Sequence, residues 1–236
     1  MSFKIFKFIK YGTYMLFLKI KGLKYTYLKK VQGDKAAQDY VVKTGYLWSK
    51  FTINTIGIEV DLKGEENIPN EPCVFIGNHS SILDIPLIVY TSKKKIGFIA
   101  KKEMFNVPIL GTWIKRTGSI ALDRENTRSA IKSINDGVEN IKKGYSLGIF
   151  PEGTRNKEGK VGEFKKGSLK LATKSKAPIV PVSIDRASRA FEDNRKFLPT
   201  KIKIVYGKPI RTDNLSKEQE KNLTETIRNI IISNLK

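Results

Sequence analysis

The stretch CVFIGNHSSILD, from Cys73 to Asp84, decides how this chain is read. Its first five residues form an unbroken apolar run, the mark of a short strand buried on both faces. Gly77-Asn78-His79-Ser80-Ser81 then supplies a turn. A helix follows that includes Pro86, since proline is best tolerated in a helix's first turn. Strand, loop and helix in that order make the repeating unit of an α/β domain, in which ligands gather where loops leave the carboxyl ends of strands.

Working outward, the same alternation continues. Strands are expected at Ile96–Ala100, Ser119–Leu122, Ser146–Phe150, Ile179–Ile184 and Lys201–Tyr206, the last with period two. Helices are expected near Glu103–Lys115 (broken by Pro108 and Gly111), at Thr127–Lys143, and at Lys217–Asn234 with Ser216 as N-cap. Toward the N-terminus, Gly33-Asp34 punctuates two helical stretches, the second running from about Asp34 to Phe51, which suggests a helical hairpin. The fold class is therefore α/β, a layered sheet flanked by helices, with an N-terminal amphipathic helical hairpin. The expected division is 1–52 for the hairpin and 53–236 for the α/β domain.

Composition bounds the function. The 236 residues are 40% hydrophobic and 28% charged, as in a globular chain and unlike a disordered or polytopic membrane protein. One cysteine (Cys73) and one histidine (His79) cannot make a disulfide within the chain or a Cys/His zinc site; no metal and no cofactor is expected. The 44 Lys and Arg against 23 Asp and Glu give +21, which favours polyanionic partners, although lysine-rich compositional bias accounts for part of the surplus. Residues 1–33 hold eight lysines and no acid, interleaved with apolar and aromatic residues. Their longest uncharged stretch, Tyr11 to Leu18, is far short of the roughly 20 residues that a spanning helix needs. A helix lying in the plane of an anionic membrane surface fits this pattern; a helix packed on its own domain with snorkelling lysine stems is the alternative.

Three loops carry residue types able to do chemistry. In the first, His79 is the natural general base near neutral pH, and a carboxylate on its other ring nitrogen would fix the tautomer. Asp84 is five residues on, about 140° around a regular helix, so His79 must precede the helix with Asp84 folding back to it. Against this, Ser81 and Asp84 also match a capping box, and Asp84 is a possible N-cap. Ser80 and Ser81 lack a nucleophile elbow, and Cys73 reads as core. The second loop, Pro151-Glu152-Gly153-Thr154-Arg155, combines a permissive glycine, a hydroxyl and a guanidinium fork suited to phosphate; an internal Glu152–Arg155 pair is the structural alternative. Lys101 and Arg124 stand at two further strand exits.

Taken in order, NHSSILD (78–84), AKKEMFNVPILG (100–111) with GSIALDR (118–124), FPEGTR (150–155) and IVPVSI (179–184) resemble the four-block signature of the glycerolipid acyltransferases, in particular the 1-acyl-sn-glycerol-3-phosphate acyltransferases. The resemblance spans about residues 70–210, and Asn156 is its one minor departure. It implies acyl transfer from a thioester, acyl-CoA or acyl carrier protein, to the sn-2 hydroxyl of lysophosphatidic acid. His79 and Asp84 would be catalytic. Arg155, Arg124 and Lys101 would bind the acceptor phosphate, while Glu152, Gly153 and Thr154 would also bind substrate, Glu152 and Gly153 by shaping the loop and holding substrate polar groups. It further implies a peripheral or monotopic protein on the cytoplasmic face of the cell membrane, docked through residues 1–31. Another lyso-lipid, such as lyso-ornithine lipid, is the alternative acceptor. A non-enzymatic membrane- or nucleic-acid-binding protein is the rival class, but no nucleic-acid motif is present, so no nucleic-acid partner is expected.

Overall fold

Among the described residues seven short strands build the centre of the molecule, and three of them, Val74–Gly77, Ser146–Ile149 and Ile179–Asp185, are apolar and buried almost throughout. The computed structural model describes residues 3–123, 127–156, 160–165 and 167–236, without the side chains of residues 3, 4, 127 and 128. After an N-terminal helix, α1 (Phe3–Ile56), come β1 (Ile58–Lys63), β2 (Val74–Gly77), α2 (Asp84–Ser92), β3 (Ile96–Lys101), α3 (Leu110–Arg116) and β4 (Ile120–Leu122). Then follow α4 (Thr127–Lys142), β5 (Ser146–Ile149), α5 (Lys170–Ser175), β6 (Ile179–Asp185), β7 (Thr200–Tyr206) and α6 (Lys217–Leu235). The strand order is β1-β7-β6-β2-β5-β3-β4, parallel throughout except for the β6–β7 pair. Because β2, β5 and β3 run side by side in one direction, the loops that leave them emerge along one edge.

Alternate residues of the central strands feed two cores. Phe75, Val180, Val182 and Ile202 pack with Leu87 and Ile88 of α2 and with Ile53 and Ile56 of α1 on one face. Val74, Ile76, Leu147 and Ile179 pack with Leu171, Leu223, Ile227 and Ile231 on the other. Helix α6 begins on Ser216 as N-cap, as expected, and Gln219 completes a capping box with it.

Helix α1 is two arms. Gly33 interrupts it with φ 84° and ψ −179°, a conformation that a side chain would disfavour, and the chain doubles back there. Across the arms, Tyr14 stacks on Phe51 at 3.9 Å, Trp48 donates through Nε1 to the Tyr11 hydroxyl at 3.0 Å, and Lys7 Nζ donates to the Ile56 carbonyl at 3.0 Å. Leu18 and Val41 close a third cluster on Trp113 of α3. No helix among the described residues is long and apolar enough to cross a membrane.

Elsewhere the elements differ in detail from the sequence expectation. Strand β1 (IEVDLK) alternates apolar and polar residues and pairs with β7, yet it was not among the expected strands. The stretch 103–115 is not one helix: a 3-10 turn, Lys102–Asn106, precedes α3. Pro108 and an Ile109 held at φ 65° break the two apart.

Candidate active site

One carboxylate oxygen gathers three groups of the turn after β2. Asp84 Oδ2 lies 2.8 Å from His79 Nδ1 and also accepts the N–H groups of Ser80 (2.8 Å) and Ser81 (2.9 Å). The Ser81 hydroxyl in turn accepts the Leu83 N–H at 3.0 Å. Asp84 is thus the histidine partner and also ties the turn, but it is not the N-cap: it is the first residue of α2, behind Leu83, which makes no side-chain cap bond. Its second oxygen, Oδ1, is buried with no hydrogen-bond partner among the described residues. Burial accordingly pushes the Asp84 carboxyl above its ordinary range, against the opposing pull of His79 and the two N–H groups.

The imidazole of His79 lies flat on the Phe150 ring, 4.2 Å between centroids, and Phe150 lies parallel to Phe98 at 6.2 Å. With its side chain 18% exposed and Nδ1 committed to Asp84, the ring retains Nε2 as the nitrogen able to exchange a proton with a ligand. Asn78, one residue earlier, clamps β2 to β6 by accepting the Ile184 N–H and donating to the Ile184 carbonyl, both at 2.9 Å.

The loop after β5 meets this turn from the neighbouring strand. Glu152 is buried and does not pair with Arg155. Its Oε1 accepts the His79 N–H at 2.7 Å and its Oε2 accepts the Gly162 N–H at 3.0 Å. Desolvation raises its pKa, with those two N–H groups pulling the other way. Asn156 N–H donates to the His79 carbonyl at 2.8 Å, a second tie between the loops. Gly153 turns the chain at φ 69°, and the Lys165 stem crosses just above it. Thr154 is exposed, and Arg155 is half exposed with Nη1 3.1 Å from Glu192 Oε1. Lys101 stands exposed at the end of β3, 3.6 Å from Glu103. Arg124 lies outside the described residues. The structure therefore brings His79, Asp84, Glu152, Gly153 and Arg155 to one edge of the sheet, with Lys101 leaving the same edge from β3.

Alongside runs an apolar cavity of about 380 Å³. Its walls come from both arms of α1 (Met15, Leu18, Val41), from α2 and the turn before it, from Phe98 of β3, and from Trp113. Ile82 and Leu83 belong both to this wall and to the His79 turn, which places the lining within a few residues of the imidazole. No cluster of His, Cys, Asp or Glu able to hold a metal occurs among the described residues.

Three contributors escape the sequence reading. Phe150 sits directly before PEGTR, and its aromatic character was a usable signal for a ring that supports the histidine. Asn78 stands at a strand exit, but its clamp to β6 depends on tertiary pairing. Glu192 lies in a loop with no recognisable spacing and gave no signal at all.

A family model described as Acyltransferase matches residues 59–185. A 1-acyl-sn-glycerol-3-phosphate acyltransferase of Saccharomyces cerevisiae is 36% identical over 185 residues, 77% of this chain and 61% of that one. One from Cocos nucifera is 33% identical, covering 81% and 62%. One from Borreliella burgdorferi is 33% identical, covering 79% and 75%. The chain thus spans less than two thirds of the length of the yeast and coconut relatives. Among solved structures, the 1-acyl-sn-glycerophosphate (LPA) acyltransferase of Thermotoga maritima superposes with a TM-score of 0.78 at 26% identity, over 97% of this chain and 96% of that one.

Proposed function

The chain belongs to the acyltransferase family, and from that premise we propose that it transfers a fatty-acyl group from a thioester to the sn-2 hydroxyl of 1-acyl-glycerol-3-phosphate, forming phosphatidate. The observation that carries this reading is the 2.8 Å His79–Asp84 pair in a turn whose Ile82 and Leu83 line an apolar cavity.

The chemistry needs little more than a base. His79 Nε2 takes the proton of the acceptor hydroxyl as its oxygen attacks the thioester carbonyl. Asp84 keeps the proton on Nδ1 and offsets the positive charge that develops on the ring. The tetrahedral adduct collapses by breaking the carbon–sulfur bond, and the departing thiolate recovers the proton from the imidazolium. No covalent acyl-enzyme is required, because the acceptor supplies the nucleophile.

Arg155, together with Lys101 and Arg124, is proposed to bind the acceptor phosphate. Glu152 shapes the loop from within, since both its oxygens are spent on backbone N–H groups. The cavity takes the acyl chain, and the positive surface suits either anionic donor, acyl-CoA or acyl carrier protein. Residues 1–52 would act as a docking hairpin on the leaflet that faces the thioester pool, with 53–236 as the catalytic domain. Leu16, Ile20, Leu23 and Tyr27, spaced along one face of the first arm, are all exposed among lysines.

The test is thioester consumption with lysophosphatidate, comparing the native chain with His79→Ala. A general base contributes about 10²–10⁴ in rate, so the variant should lose nearly all turnover at unchanged melting temperature. Turnover surviving in the variant would overturn the mechanism, since the chain has no second histidine. Activity only with other lyso-lipids would keep the mechanism and change the acceptor.

A further inference from the structure

Glu192 stands where electrostatics alone would not place a carboxylate. It lies beside Arg155, the residue proposed to meet a phosphate, in a chain with 44 basic residues against 23 acidic ones. A bare negative charge there repels the ligand. Its contacts give it another task. Oε1 accepts the Ile82 N–H at 2.6 Å and one nitrogen of the Arg155 guanidinium at 3.1 Å. Oε2 accepts the Ser81 hydroxyl at 2.5 Å. The side chain is 13% exposed, so these charge-assisted bonds are little weakened by solvent. One carboxylate from the loop after β6 therefore joins the turn that carries the base to the side chain that carries the cation.

We propose that Glu192 is a positioning residue, fixing the Arg155 guanidinium relative to the His79 turn so that the rest of its fork is presented to the acceptor phosphate. This rests on the function proposed above. An arginine that is half exposed samples many rotamers when unrestrained, and each must be given up when a phosphate binds. Holding one nitrogen against Oε1 removes that loss beforehand, and it sets the distance between phosphate and base that an in-place hydroxyl requires. The geometry makes a specific demand. The effect of Glu192 must pass through Arg155, whereas a mere loop staple would act through Ser81 and Ile82 whether or not the arginine is present.

A double-mutant cycle on Glu192→Gln and Arg155→Ala separates these roles. Glutamine keeps an acceptor for the Ile82 N–H and a partner for the Ser81 hydroxyl while removing the charge that holds the guanidinium. In the native background, Glu192→Gln should raise the KM for lysophosphatidate about fivefold to thirtyfold, inside the roughly twofold to 150-fold spread of directly contacting partners. The donor KM and the melting temperature should stay put, and kcat should change much less. In the Arg155→Ala background the same substitution should do almost nothing to acceptor KM. Equal effects in both backgrounds would overturn the inference in favour of a staple. A fall in acceptor KM would overturn it too, since the carboxylate would then be competing with phosphate. The cycle is read a second time in the affinity for glycerol 3-phosphate, titrated without donor. Coupling in binding with no turnover on lysophosphatidate sinks the proposed reaction and leaves the positioning role standing; turnover with additive effects in both readouts does the reverse.

Discussion

Replacing Asp84 by asparagine separates two jobs that one oxygen performs. Oδ2 receives three donors, the His79 ring nitrogen and the N–H groups of Ser80 and Ser81. Two of them are backbone and cannot turn into acceptors, so the asparagine carbonyl must take the Oδ2 place and the turn survives with its histidine tautomer. The amide nitrogen inherits the partnerless Oδ1 position, a penalty the carboxylate already bears in charged form. What disappears is the negative charge beside the imidazolium that forms during catalysis. A charge-assisted hydrogen bond contributes about 1.5–3 kcal/mol and a neutral one about 0.5–1.5. The difference, about 1–2 kcal/mol, corresponds to a loss of about five- to thirtyfold in kcat.

Stability should move the other way. Burial raises the Asp84 carboxyl above its unfolded value, so its stabilising contribution is complete at pH below the ordinary carboxylate range and is lost as pH rises through the raised folded value. Asparagine has no such loss. The variant should melt at or above the native temperature at pH 7.5, and its advantage should shrink as the pH is lowered toward 5. Thiol release from the thioester and thermal melting, measured on the same preparations across that range, check both signs. A melting temperature that falls while kcat is unchanged would refute the catalytic reading and leave Asp84 as a turn cap.

Three further outcomes follow from other parts of the molecule. A Cβ at Gly45 would stand 3.8 Å from Val89 Cγ1 on the cavity wall. Gly45→Leu should therefore fill cavity space and lower kcat/KM for long-chain donors more than for short ones; an unchanged chain-length profile would remove the cavity from acyl binding. Leu16→Ser, Ile20→Ser and Leu23→Ser together alter side chains that are 63, 62 and 72% exposed, so the fold should hold while flotation with anionic vesicles is lost, and retained flotation would contradict the docking face. Burial pushes the Cys73 thiol up to about 11. At pH 8 only about one thiol in a thousand is ionised, so iodoacetamide should leave the folded protein unmodified and active, and rapid alkylation would show that the strand opens.

Much of this architecture was legible because central strands in a covered sheet are plain apolar runs: CVFIG, IGFIA, SLGIF and IVPVSI read directly as β2, β3, β5 and β6. Strand β1 was equally legible: its residues alternate, and Gly57, at φ 88°, stops the helix directly before it. The five-residue spacing of His79 and Asp84 already required the fold-back that the 2.8 Å contact displays. Glu152 was harder. Three-residue spacing suggests a bond to Arg155, but Gly153 at φ 69° spoils the regular geometry such a pair relies on. Glu152 instead accepts N–H groups 73 and 10 residues distant. Glu192 shares no local pattern with Ser81, 111 residues away, and it meets that turn only because β6 lies next to β2 in the sheet. Contacts of this kind are set by strand order, which no local periodicity encodes.

Strand order does not account for the hairpin, whose two faces do different work. Tyr11, Met15 and Leu18 of the first arm line the cavity, while Leu16, Ile20 and Leu23 point outward. The arm is tied to the rest of the fold at both ends. Phe8 stacks on Phe197 at 4.6 Å near its start; toward its far end, Trp113 Nε1 donates to the Leu18 carbonyl at 3.2 Å and the Arg116 guanidinium lies over the Tyr25 ring at 4.1 Å. Removing the arm would therefore strip one wall from the cavity and uncover Trp113, besides deleting the lipid-facing stripe. An inactive truncation would not distinguish loss of membrane docking from loss of the acyl site. Outward-facing substitutions do distinguish them, because the inner face and its ties are untouched. If those variants no longer float with vesicles yet still turn over donor and acceptor presented in detergent, docking and chemistry are separable functions of one helix. If turnover in detergent falls with flotation, the outer face also shapes the cavity, and the hairpin belongs to the active site itself.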